Sequence, residues 1–182
     1  MRRWSLLGAA LLATVTILGG APAAAAHAPT GCDVRWGSLP RQAPARASAP
    51  LLDVRAGQHA CYDRLVLDLA GPVDGYTVRY VDQVAEDGSG RPVPLRGGAR
   101  LLVVVTAPAY DAGYRPTYQP THRSALVDVT GWRTFRQVAW AGSFEGQTTL
   151  GLGVRARLPF RVFTLPGPGD RSRLVVDVAH RW

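Results

Sequence analysis

His59, Cys61 and Asp63 stand close together in "QHACYDR", so an imidazole, a thiol and a carboxylate share one short stretch of chain. A cysteine nucleophile would need its thiolate with a base in reach, and this cluster is the natural place to look for one. Cys61 has a simpler use, because the only other cysteine is Cys32, and in an oxidising compartment two such residues form a disulfide. No Cys-x-x-Cys spacing suggests redox or metal chemistry. His27, His122 and His180 lie apart from one another, with no His-Glu-x-x-His or mixed Cys/His arrangement of metal-ligand spacing. There is no Gly-x-Ser-x-Gly, and the glycines of "EDGSGRP" precede a proline-bearing segment, not a helix whose N-terminus could hold phosphate. The chain is therefore read as non-catalytic, with no metal and no cofactor.

Binding chemistry is better represented. In "APAYDAGYRPTYQPTHR", Tyr110, Tyr114 and Tyr118 alternate with Pro108, Pro116 and Pro120, with Arg115 and Arg123 among them. The prolines exclude a helix, so the even spacing is not a helical stripe but a long loop. Tyrosine offers a flat apolar face with a hydroxyl, which suits sugar rings and amphipathic partners. These five side chains are the candidate ligand contacts; the competing reading has the tyrosines folded down over the end of the domain.

A second pattern is a near-repeat: "RLVLD" at Arg64 to Asp68 and "RLVVD" at Arg173 to Asp177. Alternation along a strand puts Leu65, Leu67 and Leu69 on one face, matched by Leu174, Val176 and Val178, and that face is core. Arg64, Val66 and Asp68, matched by Arg173, Val175 and Asp177, are expected on a half-solvated face. Arg64 and Asp68 are separated by roughly 13 Å of strand, too far to meet, so each must look to a neighbouring strand or to solvent, and cross-strand pairs that set register are the favoured reading.

The elements that must carry these residues are short and numerous. Strands are expected at Leu51 to Arg55, Arg64 to Leu69, Tyr76 to Val84, Arg100 to Thr106, Ala125 to Val129, Phe135 to Ala141, Thr148 to Arg155, Phe160 to Leu165 and Arg173 to Val178. Gly, Pro and Asp punctuate the gaps, as in "GPVDG" and "PGPGD". No helical stripe of useful length occurs, although Asp128 or Thr130 could cap one turn in "DVTGWRTF". The pattern predicts an all-β sandwich of short, mostly antiparallel strands with two related halves. Trp132, Trp140, Phe135 and Phe144 are expected in its core, and Trp182 is assigned to neither core nor surface.

Arg2 and Arg3 precede an apolar run from Leu6 to Leu18, and small residues ending at Ala26 follow, the layout of a secretory signal peptide over residues 1–26. The run is too short to span a bilayer, and no later stretch is apolar enough, so no transmembrane segment is expected in the mature chain. Residues 27–50, rich in Ala, Pro, Arg and Ser, read as a flexible leader held by Cys32 and by Trp36, and the folded domain is expected over 51–182. Lipidation of Cys32 is disfavoured because it lies well beyond the apolar run.

The formal net charge is +8, yet lysine and asparagine are both absent. Both are encoded by AT-rich codons, so the arginine excess fits a GC-rich genome and is not read as a nucleic-acid surface. In an exported protein the positive charge would draw anionic envelope polymers.

Several motifs taken in order resemble the AMIN-like domain of exported actinobacterial proteins: "VRAGQHACYDRLVLDLAG", "GYTVRYVDQVAEDGSG", "LPFRVFTL" and "RLVVDVAH". The resemblance implies a β-sandwich that serves as an envelope-targeting module, with Arg64, Asp68, Arg173 and Asp177 at the family's Arg and Asp positions. It implies a cell-wall polymer such as peptidoglycan as partner, and a protein-interaction module for an envelope protein is the alternative. A cell-wall hydrolase is the remaining alternative, supported by compartment alone, and the oligomeric state is left open.

Overall fold

The computed structural model describes residues 31–73 and 75–182. The expected signal peptide lies outside the described residues, as do residues 27–30 of the expected leader. Eleven strands form: β1 (Arg41–Ala43), β2 (Leu51–Gln58), β3 (Tyr62–Leu69), β4 (Tyr76–Val81), β5 (Val84–Ala85), β6 (Pro92–Val93), β7 (Ala99–Val105), β8 (Phe135–Phe144), β9 (Gln147–Val154), β10 (Phe160–Pro166) and β11 (Ser172–Ala179). No helix occurs among the described residues. A five-stranded sheet runs β1-β4-β7-β9-β8 and a four-stranded sheet runs β10-β11-β3-β2, with every pairing antiparallel.

The alternation of apolar residues decides how the two sheets meet. Leu65, Leu67 and Leu69 of β3 and Leu174, Val176 and Val178 of β11 are buried in one cluster with Val78, Leu101, Val103, Val105, Leu150 and Leu152 of the opposing sheet. Each fully buried Leu or Val contributes roughly 1.5–3 kcal/mol relative to exposure, so this shared cluster is the main cohesion of the sandwich.

The two near-repeats are not in separate sheets. They are central neighbours in the four-stranded sheet, with Arg64 opposite Asp177, Val66 opposite Val175 and Asp68 opposite Arg173. A local two-fold therefore passes through the valine pair.

A smaller apolar cluster of Val84, Leu95, Ala139 and Ala141 lies beside β8 and β9, away from the main core. The sequence of β9 explains the close cover there. Gly153 lies against the carbonyl oxygen of Arg96, and a Cβ on it would stand 2.1 Å from that oxygen. At Gly153, where the neighbour is backbone, only glycine lets this segment lie flat on the sheet, and Gly151 makes room for the Leu95 side chain beside it. Gln137 fastens the layer: its amide oxygen accepts from Arg96 N at 2.9 Å, and its amide nitrogen donates to Ser124 O at 2.8 Å.

Three expectations change. The run Tyr76 to Val84 is not one strand, because the chain bends at Asp82 to carry Val84 from the main core to the smaller cluster. Ala125 to Val129 is not a strand. It bonds β8 through Leu126 N to Val138 O at 2.8 Å, then Asp128 accepts from Thr130 N and turns the chain away before a ladder can form. That Asp128 contact caps a turn closed by Trp132 N and Val129 O, and no helix follows. Phe144 is 55% exposed, not core, because it sits at the tip of the β8–β9 hairpin, beside Glu145 and Gly146 at positive φ.

The sheet also begins earlier than Leu51. Arg41 to Ala43 pair with Val78 to Tyr76, and the segment before them is tied down by the Cys32–Cys61 disulfide and by Phe160 N donating to Gly37 O at 2.8 Å. Trp36 adds an edge-on contact with Tyr62 and lies 4.3 Å from the Arg161 guanidinium.

Candidate binding site

The loop after β7 folds into a small hairpin of its own. Tyr110 bridges Pro116, Asp111 N donates to Arg115 O, and Tyr114 N donates to Asp111 O, each of the two bonds at 2.9 Å. The Asp111 carboxylate organises the turn, accepting from the backbone N–H groups of Gly113 at 2.8 Å and Arg115 at 3.0 Å. These bonds, together with the Arg115 guanidinium, hold the Asp111 carboxyl below its ordinary pKa. "Asp-x-Gly" is a sequence signal for such a turn, and it is the reason this loop has a shape.

Tyr114 is held at φ 58°, a left-handed conformation that a bulky residue rarely adopts, and its side chain is 82% exposed. It stacks on Tyr110 with ring centres 5.6 Å apart. The Tyr110 hydroxyl in turn accepts from Gly146 N at 3.1 Å, which ties the loop to the β8–β9 hairpin. Tyr118 behaves differently: it packs on the core and on Trp140, and burial raises its phenol pKa, so it remains a neutral hydroxyl. The loop is thus neither wholly open nor wholly folded down.

Between these groups lies a recess of about 500 Å³ lined by Tyr110, Tyr114, Tyr118, Trp140 and Arg123, among others. Arg123 is exposed at the recess; no carboxylate lies within 4 Å of it among the described residues, although its charge helps to lower the Glu86 pKa. Arg115, the fifth expected contact, does not line it; its side chain is engaged by Asp111 at 2.8 Å. Trp140 was the contact that the sequence hid, since an aromatic residue in β8 reads as core, and its ring serves both core and recess.

The near-repeat residues form a different surface. Arg64 donates from Nε and Nη2 to the two oxygens of Asp177 at 2.6 and 2.9 Å, and Arg161 Nε donates to the same carboxylate at 2.8 Å. The hydrogen bond to Asp177 raises the Arg64 pKa. Asp177 is fully buried beneath these groups, not half-solvated as its position on the outer face suggested. Asp68 is taken by Arg55 of β2 instead of its opposite neighbour Arg173. Both carboxylates thus find their partners on a neighbouring strand, Asp177 from its opposite neighbour and Asp68 from β2 instead.

The Cys-His alternative has no geometry to support it. Cys61 is in the disulfide, and the His59 ring stacks on Tyr62. Asp63 is fully buried, accepting from Thr134 N at 2.8 Å and Phe135 N at 2.9 Å, with its other oxygen 3.9 Å from His180. His180 extends the network through Thr134 Oγ1 and His59 O, both at 3.0 Å, and leaves Asp63 Oδ1 buried without a hydrogen-bond partner. These polar groups join β3 to the chain ahead of β8 and leave nothing aimed at an open recess. No group of three or more His, Cys, Asp or Glu able to hold a metal occurs among the described residues.

A β-sandwich is what the family resemblance implies, and residues 49–180 match the AMIN-like domain family. The chain belongs to the AMIN-like domain family. Neither the curated proteins nor the solved structures include a match to it. AMIN-like domains are non-catalytic binding modules associated with the cell envelope, which assigns this AMIN-like chain to envelope targeting or binding. No helix among the described residues is long and apolar enough to cross a membrane.

Proposed function

We propose that the chain is an exported, non-catalytic module that docks on a cell-wall polymer, peptidoglycan foremost, through the tyrosine recess. One observation carries the reading: Tyr114 is held in a strained backbone conformation with its ring exposed, stacked on Tyr110, above a recess lined by Arg123. Strain of this kind costs of order 1–3 kcal/mol and persists only where the surroundings impose it, here the Asp111 turn. A sugar ring can stack on the tyrosine faces while Arg123 receives a carboxylate of the same polymer. Neither a carboxylate nor a histidine lines the recess, so acid–base hydrolysis has no pair of groups to use there. Export is supported by the Cys32–Cys61 disulfide, which favours an oxidising compartment.

Sedimentation with purified peptidoglycan tests the proposal. The wild-type protein should enter the pellet, and Tyr114→Ala with Arg123→Gln should keep it in the supernatant. A wild-type protein that stays soluble over a wide range of polymer concentration would remove the reading. The second reading, an envelope protein partner, is favoured by Phe144, a large apolar residue exposed at the hairpin tip that Tyr110 holds through Gly146. Crosslinking from position 144 that recovers one protein, together with failed sedimentation, would select it.

A further inference from the structure

The outer face of the four-stranded sheet uses one device twice and leaves it incomplete once. Arg64 closes on Asp177, and Arg55 closes on Asp68, each through Nε and Nη2. Arg173 is the two-fold counterpart of Arg64 and stands opposite Asp68, but Arg55 already holds that carboxylate. Arg173 donates Nη2 to Pro166 O at 2.7 Å, while its Nε is shielded from solvent and has no hydrogen-bond partner. An unmet donor on a charged group is costly, and an acceptor supplied from outside would relieve it.

Space for such an acceptor lies beside it. A recess of about 430 Å³ is lined by Arg55, Arg171, Arg173, Asp53 and Asp68, with Gly167 and Pro168 of the β10–β11 turn. Three guanidinium groups face two carboxylates there, so one positive charge has no counterpart. At the other end of the face every guanidinium edge in use has an acceptor, because Arg64 and Arg161 both donate to Asp177 and Trp36 of the leader lies over Arg161, so the ends differ in the unpartnered Arg173 Nε and not in net charge. The two ends are built alike, and the Arg173 end is the open one.

We propose that this recess is a binding site for an oxyanion, a carboxylate or phosphate group, held by Arg173 together with Arg171. The Nε/Nη2 edge of a guanidinium matches the paired oxygens of either group, and Arg64 already uses that edge on Asp177. A turn of the Arg173 side chain away from Pro166 O presents the edge, and the bound oxygens take the place that Asp68 has left. The recess is larger than a bare anion, so the bound group is the charged end of a larger ligand. It shares no lining residue with the tyrosine recess, and the two sites stand or fall separately.

The test is a titration of the disulfide-intact protein with inorganic phosphate, and separately with acetate, at constant ionic strength, following arginine Nε–H resonances. The Arg173 Nε–H signal should shift with saturation, the Arg64 signal should stay in place, and the tighter of the two anions identifies the class. Arg171→Gln, at an exposed position that leaves the fold intact, should weaken the response about tenfold. Shifts that never saturate, that spread equally over all arginines, or that survive Arg171→Gln unchanged would overturn the proposal. None of those results bears on peptidoglycan sedimentation, which reads the tyrosine recess.

Discussion

Asp177 shows how much one residue's consequences depend on its neighbours. It has no solvent exposure, and its charge is tolerated because Arg64 and Arg161 both donate to it. Those guanidiniums are themselves stacked, Arg64 on Tyr62 at 5.2 Å and Arg161 on Trp36 at 4.3 Å. Removing the carboxylate would leave two cations close together without a counter-ion, so Asp177→Asn should lower unfolding free energy by about 3 kcal/mol in urea melts. Asp68→Asn, at the matching position of the other copy, should cost less than about 1 kcal/mol, because its partner Arg55 is half exposed and solvent screens the pair. Equal losses at the two sites would contradict this account. The four-residue spacing of Arg64 and Asp68 was enough to show that they do not meet each other, and it favoured partners on another strand. Which strand was hidden, since register and the intrusion of Arg55 arise only when β2, β3 and β11 lie side by side.

The tyrosine hairpin is an element whose shape depends on one ionised carboxylate. Backbone and guanidinium donors hold the Asp111 pKa below the ordinary aspartate value of about 3.9. The stabilisation is therefore fully present above about pH 4 and is lost as pH falls through the lowered folded value. Amide resonances of Gly113 and Arg115 should accordingly remain unchanged between neutral pH and about pH 4, and move only in more acid solution. A transition centred above that range would show that Asp111 does not hold the turn. Asp128 in its turn and Glu86 beside Arg91 are lowered for the same kind of reason and follow the same sign. Asp111→Ala should speed exchange of the Gly113 and Arg115 amides at neutral pH and reduce polymer sedimentation in step. Prolines and glycine made the loop recognisable in the sequence, but the split between exposed Tyr114 and packed Tyr118 follows from where Trp140 stands.

Across the whole molecule, the segment before the sandwich acts as a strap. It starts at the Cys32–Cys61 bridge, places Trp36 over Tyr62 and Arg161, receives Phe160 N at Gly37 O and ends as β1 on the edge of the five-stranded sheet. It thereby touches strands of both sheets and closes one side of the domain. Closing a loop of 29 residues by a disulfide contributes about 3 kcal/mol in the chain-entropy account. Reduced protein, or Cys32→Ser with Cys61→Ser, should unfold at correspondingly lower urea, and limited proteolysis should cut first between residues 31 and 43. Cleavage first in the tyrosine hairpin would show that the strap is held by its packing and not by the disulfide.

Composition, turn residues and two-residue periodicity were enough to define an all-β chain and its core faces, because burial on a strand is written locally in every second residue, and the family was legible separately, in the resemblance of several motifs taken in order. The doubled "RLVxD" was legible in the same way, as two similar strands with charged outer faces. What only the tertiary structure decided was pairing: Arg64 with Asp177, Arg55 with Asp68, Arg173 with no carboxylate, and Trp140 beneath the tyrosines. These contacts join residues far apart in the chain, and their distances depend on register and sheet packing, which no short stretch of sequence encodes by itself.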